Sequence, residues 1–459
     1  MSQLLIIVCS TASYEGDMEQ TTLTVITPIS PGKVEPLRYL LNIIGDDIDG
    51  AKQNKYIRFS DLSKTHFARL VIIPEDKAKG YKPHLAFESN FDGGLDEYLK
   101  DLTRKAGDGL DQIYANCEGY PARGSDDREA FGKYIRDHSV KYSARYIAYR
   151  GRKVQDIHNN TRLRRKIEEF LDDADSRHAL DGLSTAAIKS KIQEFLLQEK
   201  TKDPDLATGP LRISSLWRQV TLVVLVASAV LVLFPFPVFF APLPLVVGLL
   251  IFFAPLLLLG IFLFVLRRHE RADAQSKVEF VAVEEAIFSK ENHQIQNQLT
   301  HLVDIKPGRF RLFTLKAVLG IVNLAAKFYW YKGNLGSIPT IHFARWVIID
   351  DNKRLLFLSN FDGSWENYLG DFIDKAAVGL TGVWSNAVEF PKTEFLFLKG
   401  AKDEERFKEW ARAKQIPTQV WYSAHPDETV QNILNNFEIR NNIEATLNDE
   451  QTEQWLRRL

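Results

Sequence analysis

THFAR at residues 65–69 and SNFDG at 89–93 return as IHFAR at 341–345 and SNFDG at 359–363. The register between the copies extends well beyond these pentapeptides. His66 and Arg69 align with His342 and Arg345, and at the same offset Leu23-Thr24 aligns with Leu299-Thr300 and Pro31-Gly32 with Pro307-Gly308. The loop EDKAKGYKPH shortens to DDNKR in the second copy, after which Asn90, Phe91, Asp92 and Gly93 align with Asn360, Phe361, Asp362 and Gly363. Val154-Gln155 and Asn159-Asn160 then align with Val430-Gln431 and Asn435-Asn436. A repeat this long predicts two domains rather than a solenoid.

Each copy reads β-α-β-β-α-β. HFARLVII and HFARWVII are short apolar runs that fit buried strands, and LAFESNF and LLFLSNF form the returning strands of hairpins. The fourth strands are SARYIAY and TQVWYSA, and each copy closes on a helix beginning Val154 or Val430. This is the ferredoxin-like, split βαβ order, so the fold class is α+β. Helices cover one face of such a sheet. The central strands are apolar on both faces, so the two sheets are expected to pack face to face as an intramolecular pseudo-dimer.

Between the copies, Gln219–Leu266 holds no charged residue. That is about twice the roughly 20 apolar residues that one membrane span needs. Prolines 235, 237, 242 and 244 fall where helices would break. The expectation is a two-span hairpin, 219–240 and 245–266, with Pro255 kinking the second helix. Arg212 and Arg218 precede it and Arg267, Arg268 and Arg271 follow, which places both soluble repeats on the cytoplasmic side. The domain plan is an N-terminal extension 1–20, repeat one 21–200, a linker 201–218, the hairpin 219–266, a linker 267–292, and repeat two 293–459.

Composition narrows the function classes. Lys and Arg number 58 against 59 Asp and Glu, giving no global electrostatic case for a nucleic-acid partner. Cys9 and Cys117 supply neither a disulfide framework nor a zinc site, and no metal site is expected. The N-terminus lacks the basic n-region of a signal peptide. The common P-loop, zinc-protease, α/β-hydrolase and Rossmann motifs do not occur.

The twin motifs carry the candidate site. Each SNFDG lies between a strand end and a helix, where Asp92 or Asp362 can cap free N–H groups of the helix that follows. In HFAR, His and Arg stand three apart and fall on opposite faces of a regular strand, unless a bulge intervenes. A buried Arg needs an anion, and the expected ion pairs are Arg69–Asp92 and Arg345–Asp362. Next to the motifs the copies differ, Glu88 against Leu358 and Gly94 against Ser364.

In element order and duplication the chain resembles the dimeric α/β barrel superfamily, which includes dye-decolourising peroxidases and chlorite-dismutase-like haem proteins. The peroxidases have a GxxDG motif whose Asp assists peroxide cleavage; here Ser89 and Ser359 replace its first Gly. The resemblance implies catalytic roles for Asp92, Arg69, Asp362 and Arg345, and haem contacts from His66, His342, Asn90 and Asn360. Two functions follow as expectations. One is a membrane-anchored, cytoplasm-facing binding or scaffold protein. The other is a haem-dependent, peroxidase-like oxidoreductase using the space between the sheets.

Two segments suggest lipid contact beyond the hairpin. Segment 309–332 is apolar with a basic and aromatic fringe, suited either to the bilayer interface or to covering the second sheet. Segment 141–166 is strongly basic, suited to a solvated face or to anionic headgroups.

Overall fold

The β-branched and apolar run Thr65–Ile73 forms strand β2, and every one of its nine residues is buried. Its partner in the second half, β6 (Ile341–Ile349), is buried at all but one position. Strands covered on both faces need a layer on each side. Helices supply one layer and the facing sheet the other. The structure, a computed structural model, describes residues 20–204, 206–211, 245–274, 287, 291, 295–330 and 333–459.

The first half begins with β1 (Gln20–Pro28), α1 (Val34–Asp46), β2 and β3 (His84–Asp92). Helices α2 (Leu95–Tyr114) and α3 (Arg128–Asp137), β4 (Ala144–Ile147) and α4 (Val154–Asp172) follow. Two further helices, α5 (Ala174–Leu180) and α6 (Thr185–Lys202), end the half. Helix α7 (Leu245–Ala272) then leads to the second half: β5 (Gln296–Asp304), α8 (Arg309–Phe328), β6, β7 (Arg354–Asp362), α9 (Trp365–Lys375) and α10 (Ala377–Trp384). A small ribbon of β8 (Thr393–Glu394) and β9 (Leu398–Lys399) precedes α11 (Glu404–Ala413), β10 (Val420–Ser423), α12 (Val430–Ile443) and α13 (Asp449–Leu456). The α+β class is as expected.

The fourth strands do not stay in their own sheets. The hydrogen-bonded orders are β1-β3-β2-β10 and β4-β6-β7-β5, so each sheet is completed by a strand from the other half. Val420 pairs with Leu70 and Ala144 with Trp346. Just upstream, the same segments still touch their own halves. Ile26 N–H donates to His138 O and Val140 N–H to Thr24 O, and correspondingly Leu302 N–H donates to Lys414 O and Ile416 N–H to Thr300 O. Hydrogen bonding therefore passes from sheet to sheet along two shared segments and closes into a ring. Full closure removes the exposed edges that an open sheet presents. The sequence pattern identified these strands but not their destination, because pairing partner is a tertiary property that local periodicity does not encode.

Outside the ring, α1 and α2 place Leu37, Leu41, Ile44, Tyr98 and Leu102 against the helix-side face of the first sheet. Leu315, Leu319 and Val322 of α8 do the same for the second. Inside the ring, Val71, Ile73 and Ala86 meet Val347, Ile349, Leu356 and Leu358. Each Val, Leu or Ile among them contributes on the order of 1.5–3 kcal/mol when fully buried. Beyond one end of the ring, α4 and α12 pair through Leu163, Ile167, Ile439 and Ile443, joined by Ile192 and Leu196 of α6 and Trp455 of α13.

Among the described residues one helix, α7, is long and apolar enough to cross a membrane. Its start matches the expected second span, and it continues to Ala272 with Pro255 inside it. The expected first span, 219–240, and residues 1–19 lie outside the described residues. The first part of the predicted linker 267–292 is helix instead, and it is docked on the body, as described below.

Candidate functional site

The polar side chains singled out by the twin motifs converge inside the ring. Register explains how. His66 is the extra residue of a β-bulge, since Thr65 pairs with Phe91 while Phe67 pairs with Asn90. His342 occupies the same irregularity between Ile341 and Phe343. The bulge turns each His to the side that Arg69 and Arg345 face. His and Arg therefore share the interior, the exception that strict alternation allowed for.

The expected ion pairs are not formed. Arg69 Nε lies 2.5 Å from Glu88 Oε2, and Arg345 Nη2 lies 2.9 Å from Glu88 Oε1. The two guanidinium groups then reach across the ring. Arg69 donates to Leu299 O at 2.9 Å, Ser359 O at 2.9 Å and Asn360 Oδ1 at 2.6 Å. Arg345 donates to Leu23 O at 2.7 Å, Ser89 O at 3.1 Å and Asn90 Oδ1. The acceptors are matching positions of the two halves, so each Arg stitches its own sheet to the opposite one. Asp92 and Asp362 lie too far along their strands to do this, and Glu88, directly opposite Arg69 in the β2–β3 register, takes the role.

Burial pulls the Arg69 guanidinium down and the Glu88 carboxylate pushes it back up. Burial brings Arg345 down to about 10, again opposed by Glu88. For Glu88 itself burial acts upward, but Arg69 and Arg345 hold the carboxyl below its ordinary range. A buried charge set survives only when its members are paired and hydrogen-bonded.

Asp92 and Asp362 have a different pair of partners. Asp92 Oδ1 lies 2.9 Å from His66 Nε2, and Oδ2 accepts from the Val154 N–H at 2.8 Å. Asp362 repeats this with His342 at 2.6 Å and the Val430 N–H at 2.8 Å. Each Asp does cap a helix, but the one after the fourth strand rather than the one expected. Gly94 makes no side-chain cap at α2, and Ser364 caps α9. A carboxylate at a helix N-terminus satisfies free donors and complements the dipole.

The sequence left out the remaining members of this layer. Tyr149 and His425, at matching positions just beyond the fourth strands, meet between the two His-Asp pairs. The Tyr149 hydroxyl lies 3.0 Å from His342 Nδ1 and 3.4 Å from His425 Nε2. Burial, with His66 and His342 nearby, drives His425 well below its ordinary value. Gln20 hydrogen-bonds Arg152 O at 2.8 Å, and Gln296 hydrogen-bonds His425 O at 2.9 Å, each tying a strand to the loop after its half's fourth strand. The shared offset of Gln20 with Gln296, and of Tyr149 with His425, was visible in the sequence. Nothing local marked them as interior.

Haem does not fit this interior. Phe67, Phe343, Tyr149, His342 and His425 are in ring-to-ring contact, and His66 touches Phe343, Tyr149 and His425. A planar macrocycle there would displace the aromatic side chains that hold the sheets together. Among the described residues no group of His, Cys, Asp and Glu is arranged to hold a metal ion. A groove of about 540 Å³ opens elsewhere, between the 74–81 loop and β5. Its charges are already paired, Lys79 with Asp304 at 2.8 Å inside the groove and Arg354 with Asp350 at 2.5 Å beside it. No family model matches this chain, and neither a curated protein nor a solved structure matches it.

The other candidate is the surface where α7 meets the body. Leu256, Leu257, Leu258 and Phe264 of α7 are more than half exposed. The helix end is bound tightly. Leu266 is buried in the second-half core, and Phe310 stacks on His269 and meets Phe262 in a tilted ring contact. Glu270 accepts from the Phe395 and Leu396 N–H groups at 3.0 and 2.8 Å, and Asp273 pairs with Lys306 and Arg311. In the basic segment 141–166, Arg162 pairs with Asp203 and Arg164 with Glu168, so part of its charge is already neutralised.

Proposed function

We propose that this chain is a membrane-anchored binding or scaffold protein, built by internal duplication of a ferredoxin-like unit and held on the cytoplasmic face of a bilayer by a two-span hairpin. One observation carries the reading. An apolar helix of 28 residues, with an exposed apolar surface, runs without interruption into a folded body that clamps its last turns. A helix apolar all round and largely uncovered belongs in lipid, where its backbone is internally satisfied. The arginines at 267, 268 and 271 favour the cytoplasmic side for the body. The uncharged stretch 219–240 supports a second span that returns the chain to that side.

The matched offsets of buried pairs support the duplication: Arg69 and Arg345, Asp92 and Asp362, Gln20 and Gln296. The interior is filled by side chains that hold one another, which favours a body whose outer surfaces carry the function over one with an internal reaction chamber.

The test has two parts. Membranes from expressing cells are washed with alkaline carbonate, and the chain is expected to stay with the lipid. Single cysteines at exposed sites in 176–202 and at Arg271 are then treated with a membrane-impermeant thiol reagent in intact cells. Protection of both is expected. Labelling of one alone would defeat the two-span topology, and carbonate release would defeat the anchor. Soret absorbance of the purified protein would revive the oxidoreductase reading.

A further inference from the structure

Helix α8 has two apolar faces. One, with Leu315, Leu319 and Val322, is the cover of the second sheet. The opposite face leaves Phe313 64%, Ile321 65% and Leu324 49% exposed, with Lys316 and Lys327 exposed beside them. Residues 313, 317, 321 and 324 follow a helical stripe, so this is a continuous strip rather than scattered exposure. A soluble helix that has already buried one face has no reason of packing to keep a second one apolar.

Position on the molecule says what covers that strip. Phe310, in the first turn of α8, stacks on His269 and touches Phe262 of α7, where the apolar helix enters the body. The tip of the β8–β9 ribbon lies at the same level, because Glu270 of α7 binds its backbone and Arg267 sits over the Phe395 ring at 4.9 Å. The tip exposes Phe395 and Leu398, with Lys399 beside them. The exposed apolar surface of α7 continues to Phe264, past its first contact with the body at Phe262. The ribbon and the start of the strip thus lie beside the part of α7 where its exposed apolar surface ends.

We infer that the second half lies directly on the bilayer, with the outer face of α8 and the ribbon tip inserted at the boundary of headgroups and acyl chains. Apolar and aromatic side chains enter that boundary while the lysines on either side meet anionic headgroups. The inference rests on the reading of α7 as a membrane span. It makes segment 309–332 both covering helix and interfacial helix, two roles that the sequence had presented as alternatives.

The full chain is reconstituted in phosphatidylcholine vesicles, with and without phosphatidylglycerol, after Cys9→Ala and Cys117→Ala. An environment-sensitive fluorophore is placed in turn on Leu258→Cys, Ile321→Cys, Leu398→Cys and Tyr39→Cys, the last on the far-side helix α1. Nitroxides at two depths in the lipid report position. Deep nitroxides are expected to quench the label at 258, shallow ones those at 321 and 398, and neither the label at 39. Lys316→Glu with Lys327→Glu is expected to reduce shallow quenching at 321 only where phosphatidylglycerol is present. If 258 is quenched while 321 and 398 stay as water-exposed as 39, the anchor stands and the docking is overturned. If 321 and 398 are shielded from water but not quenched by lipid nitroxides, a protein partner covers the face and the docking is again overturned. If 258 itself escapes the deep nitroxide, the span reading fails and the docking falls with it.

Discussion

Arg69 and Arg345 stand on opposite sheets, yet both contact the carboxylate of Glu88, at 2.5 and 2.9 Å. Position 358, which matches Glu88, is Leu. One buried anion therefore serves two buried cations, and the symmetry of the halves breaks at the centre of the interior. Glu88→Gln keeps the shape and removes the charge. Loss of a buried partner is expected to cost about 3–5 kcal/mol, read as a fall in the denaturation midpoint with an unchanged slope. Because Glu88 is held below the ordinary value of 4.5, its contribution is present above that value and disappears as pH falls through its own lower one. Acid titration of the variant should lack that step.

His301 is buried neutral rather than charged, yet its pH dependence runs in the same direction. It is buried beside Trp384 and Trp410, and burial pushes it down to about 3. The folded state keeps it neutral while the unfolded chain protonates it below about 6.5, so stability falls as pH drops from 6.5 towards 3. The matching residue in the first half is Val25. His301→Val is expected to flatten the pH dependence in that window by up to about 1.4 kcal/mol per pH unit. Melting curves across pH 4–7 would show it, and an unchanged slope would mean that His301 is protonated in the fold.

Asp92→Asn and Asp362→Asn test the two His-Asp-helix links. Each Asp accepts from a His and from the first N–H of a helix, with nearly identical geometry. Both substitutions are expected to lower stability by a similar amount, about 1–3 kcal/mol. A large loss at one position with none at the other would assign that Asp a task besides structure.

Strand exchange is tested with Val420→Asp. Val420 belongs to the second half by sequence but pairs with Leu70 and packs with the core of the first sheet. An unpaired carboxylate there costs several kcal/mol. Hydrogen exchange of β1 and β2 in the first half is expected to accelerate. Acceleration confined to the second half would place the strand in its own sheet.

Much of this was legible in the chain. The spacing of HFAR and SNFDG located β2, β3, β6 and β7, because buried strands must be apolar on both faces and turn chemistry marks their ends. That Arg69 is buried against an anion was also readable, but strict alternation put His66 on the other face and paired Arg69 with Asp92. The actual partners were not readable. Arg69 bonds to Asn360 and Leu299, far away in sequence, and no periodicity reports which sheet a strand joins. The bulge at His66 adds one residue to a ladder and leaves no compositional mark. The outer face of α8 was ambiguous for a simpler reason: a helix apolar on two sides looks the same whether lipid or protein lies against either one.

The exchanged strands also set an order of events during synthesis. When the ribosome has finished the first half, β2 has no neighbour on its outer edge, because β10 has yet to be made. The whole apolar segment and most of the second half must emerge before residues 420–423 can fill that edge. For that interval the nascent protein carries a row of unpaired backbone donors and acceptors beside a long apolar segment, which is the condition that invites aggregation. Delivery of the apolar segment to the bilayer before release would hold the two halves close together and shorten the search that closes the ring.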